Sequence, residues 1–558
     1  MNPLEVQFSA NPFVFQLVGH LLIAAFSLWI LLRKRPLSDG VFIVILVALT
    51  AFMRLPVFLF NHELDPDESQ MLAQGLTLSI DPVVYRSIDP TTGGPLTSYL
   101  LSGFAHLGFT LDFQFAHILS WALTIAALII GYFTAKTLNL TATVQWAILP
   151  FISFLSCIQF TDFVSFYSEI VSILVLSATV FFLAYWNQRS RFQAGELMLF
   201  GILLGMVPLC KLQALPMAFV VGVYACVQLF FYQRSKLLPH FLYLSLGFLG
   251  WWLFWCLFLV RNDVLDDFYT YYIEANLAYK DNFATNGAPR SKFANFFRLP
   301  WVIVRKGCGF EWLLYPFMLL SLAASFVIII QKRLAKSISL DAYFWVMLGG
   351  YLLMANLAVT RTGSFYEHYF HYLFLPFLLF FSLFLKHLPS QSKWVMVSTQ
   401  AAFFVLFVTN IVRNEPTNKF TSTPRPDDVM RANIVQLILQ YAAPGQYLAV
   451  WGWSCDLFVA TQMPQGVNEN HTTRSGMYHS YQKHYYQRYL RDLKRNQPAI
   501  FVDAVTPKTI WMDNPKKYGH HNYPELADFI AKNYLFRVEV EGVKIYSHKQ
   551  QNAPLITD

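Results

Sequence analysis

His62 Glu63 Leu64 Asp65 Pro66 Asp67 Glu68 is the stretch on which the reading of this chain turns: four carboxylates in seven residues, directly after the second of two long apolar segments. Where a chain has just left a bilayer, so much negative charge points to chemistry at the surface rather than to anchoring. The same pattern has a plainer reading. Proline tolerates the first position of a helix and carboxylates offset the positive end of its dipole, so Asp65 Pro66 Asp67 Glu68 also starts a helix running to Leu78. A capping role does not exclude catalysis, and both readings stand at this point. Downstream, Tyr85 Arg86 Ser87 Ile88 Asp89 Pro90 Thr91 Thr92 Gly93 Gly94 Pro95 carries the turn residues that would let the chain fold back over this region.

Working outward, composition sets the class. The 558 residues are 55% hydrophobic and 13% charged, with 53 Phe, 29 Tyr and 14 Trp, which excludes an ordinary soluble globular protein. A span needs about 20 mostly apolar residues to cross about 30 Å of hydrocarbon. About twelve such stretches are expected, near 13–32, 41–60, 113–135, 141–160, 163–186, 197–210, 212–232, 238–260, 312–330, 342–360, 369–385 and 394–412. The first lacks a basic leader and a small-residue cleavage site and reads as a retained span. Lys and Arg concentrate in alternate short loops: Arg33, Lys34 and Arg35; Lys136; Arg189 and Arg191; Arg234 and Lys236; Lys332, Arg333 and Lys336; Lys386 and Lys393. Those loops belong on the cytoplasmic side. The N-terminus, the outer loops 61–112 and 261–311, and everything beyond Arg413 are then extracytoplasmic. The net charge of +8 accordingly reads as membrane topology, not nucleic-acid binding.

Residues 1–412 form the expected transmembrane domain, and at 413–558 the chain changes character. Pro and charge increase around Pro424 Arg425 Pro426 Asp427 Asp428, and shorter elements follow. Helices are expected from Asp427 or Asp428 to Tyr441, from His479 to Arg495 and from Glu525 to Asn533. Strands are expected at 447–450 and 499–502, with a hairpin of 536–540 and 543–546 turning at Glu541 Gly542. Strands alternating with helices make a small extracytoplasmic α/β domain. Cys308 and Cys455 both fall outside, where a disulfide is permitted, but no spacing motif supports one.

Further polar residues gather at the same predicted membrane face. Asp162 and Glu169 flank the outer start of the fifth span, seven residues apart and so on one helical face. Lys211 follows Pro208 Leu209 Cys210 at the outer end of the sixth, and Arg361, Glu367, His368 and Tyr369 lie at the outer junction of the tenth and eleventh. Taken singly, each reads as a snorkelling or interfacial side chain. Together, carboxylates and cations from distant parts of the chain would line one extracytoplasmic cavity at headgroup depth, where a lipid-linked phosphate would sit.

These pieces resemble the GT-C class of integral-membrane glycosyltransferases, particularly the family containing protein O-mannosyltransferases and the lipid A aminoarabinose transferase. The matching elements are the Asp67 Glu68 pair, the stretch from Asp89 to Tyr99, Lys211 Leu212 Gln213 Ala214 Leu215 Pro216, and Glu367 His368 Tyr369 with Leu375 Pro376. In the C-terminal region, Val450 Trp451 Gly452 Trp453 Ser454 and the segment from Phe529 to Tyr546 match as well. One departure is that such enzymes often have a single span before the acidic loop, where two are read here.

The resemblance implies a polyprenyl-phosphate sugar as donor and a glycan, lipid or protein as hydroxyl acceptor, used at the extracytoplasmic face of a bacterial inner membrane. It implies Asp67 as general base, hence inversion at the anomeric carbon, with Glu68 orienting the acceptor or the loop. Lys211 and Arg361 would meet the phosphate, helped by His368 and Tyr369, and Asp89 and Gln213 would contact substrate. Asp162 or Glu169 would orient the sugar or hold a divalent cation through oxygen ligands; metal dependence is left open. Two other classes are weighed against this one. A flippase or transporter of lipid-linked sugars would show inverted repeats and broken helices at mid-membrane, and no repeat is visible. A noncatalytic envelope assembly protein would need no particular geometry in the acidic loop.

Overall fold

The computed structural model describes residues 12–59, 61–158, 160–277, 292–306, 340–361, 365–387 and 426–550, with most of 393–405. Among these, eight helices are long and apolar enough to cross a membrane: Phe13–Leu32, Asp39–Leu59, Phe113–Thr137, Thr161–Arg189, Leu212–Tyr232, Arg234–Arg261, Ala342–Thr360 and Glu367–Lys386. They are helical because a backbone surrounded by hydrocarbon has to satisfy its N–H and C=O groups within the segment. Two shorter apolar helices, Thr143–Cys157 and Ala194–Cys210, accompany them. The first of these is jointed. It consists of Thr141–Ala147 and Leu149–Cys157, meeting at Ile148, beside the N–H that Pro150 cannot supply. The expected span at 312–330 lies outside the described residues, as does most of that at 394–412.

The chain divides into two compact units. The first comprises residues 1–60, 117–255 and 288–422 and holds most of the apolar helices. Two features set its internal geometry. Helices Ala194–Cys210 and Leu237–Arg261 meet backbone to backbone through glycines: a Cβ on Gly201 would lie 2.3 Å from Leu244 O, and one on Gly247 would lie 2.1 Å from Met198 O. Small residues at such a crossing allow the close packing that substitutes for a hydrophobic drive inside lipid. The second feature is Arg54, buried in the helix Asp39–Leu59. Its guanidinium donates to the carbonyls of Ile158 at 3.1 Å, Leu155 at 2.5 Å and Phe163 at 3.4 Å. A cation there offsets the negative end of the helix that closes at Cys157. An arginine inside an otherwise apolar run is the sequence signal for such an anchor.

The second unit is assembled from three separated stretches, residues 61–116, 256–287 and 423–558. Its centre is a four-stranded sheet of β1 (Leu448–Trp451), β2 (Ile500–Asp503), β3 (Tyr534–Val540) and β4 (Val543–His548), in the order β1-β2-β4-β3. β1 and β2 are parallel and the other pairs antiparallel. Glu541 and Gly542 close the hairpin with φ of +48° and +89°, the doubly left-handed turn that matches the twist of paired strands. Every residue of β1 and β2 is buried, because helices cover both faces. Val450, Val502 and Ile545 pack on one side with Ile434 and Ile438, while Ala449, Trp451 and Phe501 pack on the other with Tyr489 and Leu493.

The helices fall close to expectation, at Pro426–Tyr441, Gln482–Asn496 and Pro524–Asn533. Asp427 and Asp428 lie inside the first of these rather than capping it, since it opens at Pro426. The acidic helix Pro66–Leu78 belongs to this unit as well. Ala73 enters the same core as Ile434 and Val450, the Thr77 hydroxyl accepts from Gln465 N at 2.9 Å, and Gln70 O accepts from Asn470 Nδ2 at 3.2 Å.

Candidate functional site

In the helical unit, the polar residues picked out in the sequence converge where three helix ends occur. Ser168–Arg189 begins after an extended Tyr167, so Glu169 falls in its first turn, where the helix dipole favours an anion. Ala194–Cys210 ends at Lys211, whose extended backbone (φ −161°, ψ 120°) separates it from the short turn Leu212–Ala214. Lys211 is therefore an interruption between two apolar helices, and its amine turns to Glu169. Nζ lies 2.8 Å from Glu169 Oε1 and donates to Ser168 Oγ at 3.0 Å. Both partners are buried, with side-chain exposures of 8% for Lys211 and 1% for Glu169, which makes this a desolvated ion pair rather than a surface contact.

His368 joins the same cluster from the turn Glu367–Phe370. Its backbone N donates to Asp162 Oδ1 at 3.2 Å, and its Nδ1 is 2.9 Å from the same oxygen, which fixes the ring. Nε2 lies 4.0 Å from Glu169 Oε1. The imidazole is stacked on Tyr167, centroids 4.1 Å apart and planes within 16°, with the Tyr369 ring edge-on at 4.5 Å. Asp162, Glu169, Lys211, His368 and Tyr369 thus form one constellation. Gln213 stands beside it with its amide donating to Ala358 O. Arg361 is apart: it is exposed, one residue beyond the helix Leu340–Thr360, and among the described residues its side chain has no hydrogen bond or ion pair with the constellation. Ser168 and Tyr167 were missed in the sequence. The signal available was the Tyr-Ser-Glu start of an apolar helix, which places a ring, a hydroxyl and a carboxylate on consecutive residues.

In the sheet-containing unit, the acidic stretch divides its labour. Asp65 is the N-cap, its side chain accepting from Asp67 N at 2.9 Å. Asp67 sits in the first turn, half-buried, with Oδ1 accepting from Gln70 Nε2 at 2.8 Å. Glu68 is fully buried and reaches back to Leu64 N at 3.3 Å, in the manner of the third helical position of a capping box. Glu63 pairs with Arg431 at 3.3 Å, and Arg431 also pairs with Asp456. Burial, with the Asp456 carboxylate nearby, pushes Glu63 up to about 8.

Asp89 is 1% exposed, and its N–H donates to Asn468 O at 2.8 Å. Its carboxylate accepts from Thr91 N at 2.8 Å and lies 3.8 Å from Arg488 Nη1. Arg488 in turn donates to Tyr85 O and lies over the Tyr271 ring at 4.0 Å. Tyr85 and Thr91 on either side of Asp89 hold φ of +67° and +57°, a conformation costly for side chains that are not glycine and kept only where surrounding contacts enforce it. Trp451 is core, its indole donating to Tyr518 O at 2.8 Å, whereas Trp453 is half-buried and stacked on His471 at 4.2 Å. Cys455 is a buried thiol donating to Asn470 O at 3.3 Å; Cys308 lies outside the described residues. Among the described residues, Asp503, His520 and His521 bring one donor atom each within 4.8 Å of one another, close enough for a metal ion.

No protein-family model matches the chain, and no curated protein matches it by sequence. Solved structures do match. ArnT from Cupriavidus metallidurans, crystallised bound to undecaprenyl phosphate, aligns with a TM-score of 0.56 and 13% identity over 91% of this chain and 98% of that one. The chain has the ArnT fold. ArnT from the same organism in the apo state gives a TM-score of 0.54 at 12% identity with the same coverage. The 9% of this chain outside the alignment is about 50 residues, far fewer than residues 423–558, so neither the apolar helices nor the sheet-bearing part is an addition to the ArnT architecture. The backbone therefore adopts the fold of these ArnT structures.

Proposed function

We propose that this protein is a glycosyltransferase that moves a sugar from a polyprenyl-phosphate carrier to a hydroxyl acceptor at the extracytoplasmic face of the membrane. The observation that carries this reading is the end-to-end likeness to ArnT, one of whose structures holds undecaprenyl phosphate. The chemistry of the chain's own residues supports it. The acceptor oxygen forms a bond to the anomeric carbon as the carbon–phosphate oxygen bond breaks, the acceptor's proton passes to Asp67, and the lipid phosphate leaves. Inversion follows from the single displacement. Glu68 and Asp65 hold the first turn of the acidic helix, so Asp67 is presented on a fixed backbone.

Lys211 is assigned to the departing phosphate. An ammonium has three N–H groups, and among the described residues two are engaged, by Glu169 and Ser168, which leaves the third for a phosphate oxygen. A cation held in this way needs no reorganisation when charge develops. His368, fixed by Asp162, is assigned to the same group, and Tyr369, Gln213 and Asp89 to holding the substrates. Arg361, exposed at a helix end, is assigned to the approach of the lipid anion rather than to its final seat.

The test is an assay of the purified protein in detergent or vesicles with a panel of polyprenyl-phosphate sugars. Transfer with stoichiometric release of lipid phosphate is the expected result. Movement of the intact lipid between leaflets without transfer would replace this reading with that of a flippase.

A further inference from the structure

The sheet-containing unit carries a second cluster with metal-ligand chemistry, remote in sequence from every residue assigned above. Asp503 is the last residue of β2, buried, and His520 and His521 follow Gly519 in the short turn His520–Asn522. Each of the three offers a donor atom, and these atoms all lie within 4.8 Å of one another. We propose that Asp503, His520 and His521 bind a divalent transition-metal ion of the zinc class, with solvent completing its coordination.

Three observations carry this. First, the donor set is one carboxylate and two imidazoles, the borderline nitrogen and oxygen ligands that zinc and its neighbours favour over calcium or magnesium. Second, the ligands are held in place before any ion arrives. Asp503 Oδ1 accepts from Val505 N at 3.1 Å, and Oδ2 accepts from His520 N at 3.1 Å and faces His520 Nδ1 at 2.5 Å. The His520 ring is wedged edge-on against Phe501 and Tyr546. An ion would take the place of the hydrogen between Asp503 Oδ2 and His520 Nδ1, leaving the imidazole as its Nε2–H tautomer, and the two atoms would separate by roughly 1 Å to sit about 2.0–2.2 Å from a common tetrahedral centre.

Third, His521 is directed by its neighbours. Its Nε2 lies 3.3 Å from Asn522 Nδ2, leaving Nδ1 as the nitrogen available to a metal. The position before the pair is glycine for a matching reason. A Cβ on Gly519 would come within 2.6 Å of His521 Cε1 and 2.9 Å of Nδ1, so a side chain there would displace the ring. His521 is exposed while Asp503 and His520 are buried, so the cluster opens to solvent on one side and an ion has a way in. A purely structural Asp–His hydrogen bond would account for Asp503 and His520 but not for the seating of His521.

The test uses the full-length protein, stripped with a chelator and titrated with Co(II), whose visible absorption bands report nitrogen ligation, and then with Zn(II) in competition. The expected result is one ion per chain at micromolar concentration. His521→Ala should weaken binding by at least ~10-fold, since losing a ligand costs no less than losing one of its outer partners. The exposed His484→Ala serves as the control and should leave binding unchanged. His521→Ala removes an exposed side chain, so its unfolding curve without metal should overlay that of the parent, which separates loss of a ligand from loss of fold. Substoichiometric binding, or equal affinity in the parent and His521→Ala, would overturn the proposal whatever the protein does to lipid-linked sugars.

Discussion

Replacing Lys211 with methionine separates two roles that the structure superimposes on it. In the single variant Lys211→Met, Glu169 stays 1% exposed without the ammonium that lies 2.8 Å away. Removing one partner of a buried ion pair costs about 3–5 kcal/mol, because the other charge is left desolvated. The double variant Lys211→Met/Glu169→Gln removes that charge too, and replacing both members of such a pair is often close to neutral. Thermal unfolding in detergent should therefore show a large loss for the single variant and recovery of most of it in the double. Donor binding should behave differently. If the third N–H of Lys211 meets the lipid phosphate, the double variant recovers its fold but not this bond. A hydrogen bond to a charged group is worth about 1.5–3 kcal/mol, so binding of a short-chain polyprenyl phosphate should fall roughly 10- to 150-fold. A double variant that binds the lipid within about threefold of the parent would show that Lys211 serves only to neutralise Glu169. A single variant as stable as the parent would remove the buried pair itself.

Three other outcomes are expected. Asp67→Asn should lower turnover at least ~100-fold while leaving the melting temperature within the noise, because Asp65 carries the helix cap; turnover within a few-fold of the parent would take Asp67 out of the mechanism. Glu469 is raised from 4.5 to about 8, chiefly by burial, so the folded state holds a proton that the unfolded state gives up. Stability of the sheet-containing unit should then fall as pH rises through that interval, at a slope no steeper than about 1.4 kcal/mol for each whole step in pH, and Glu469→Gln should flatten that slope; equal slopes would refute it. Gly452→Ala places a Cβ 3.0 Å from the Ala504 carbonyl carbon at a backbone φ of +117°, and should cost about 1–3 kcal/mol by chemical denaturation; an unchanged midpoint would show that the turn relaxes freely.

Much of this architecture was legible because it rests on local physics. The apolar runs, the Asp65 Pro66 helix start and the Glu541 Gly542 hairpin each depend on a few consecutive residues, and they appear where periodicity and turn chemistry put them. Asp162, Glu169, Lys211 and His368 were legible for a related reason: a charged residue at the end of an apolar run has few acceptable environments. Pairings over long distances in sequence were not legible. Nothing near Asp89 announces Arg488, and nothing in the acidic helix announces that Gln465 and Asn470 will bond to it. The joint at Ile148 was missed because a stretch of unbroken hydropathy outweighed one proline. Arg361 illustrates the limit of sidedness: its end of the helix was foreseeable, but whether its side chain turned to the cluster or to solvent was not.

The three-part construction of the sheet-containing unit bears on how the protein is made. The helix Pro66–Leu78 buries Ala73 among residues that include Ile434 and Val450. Those partners leave the ribosome about 300 residues after residue 116. At about 5–20 residues per second, the helix carrying Asp67 waits on the order of 15–60 s before its core exists. During that interval its inward face is uncovered while apolar helices are still being delivered to the membrane. Translation speed between residues 117 and 422 thus sets how long this surface stays open to proteases and wrong partners, and a change that slowed elongation there would lower the yield of folded protein without altering a single contact in it.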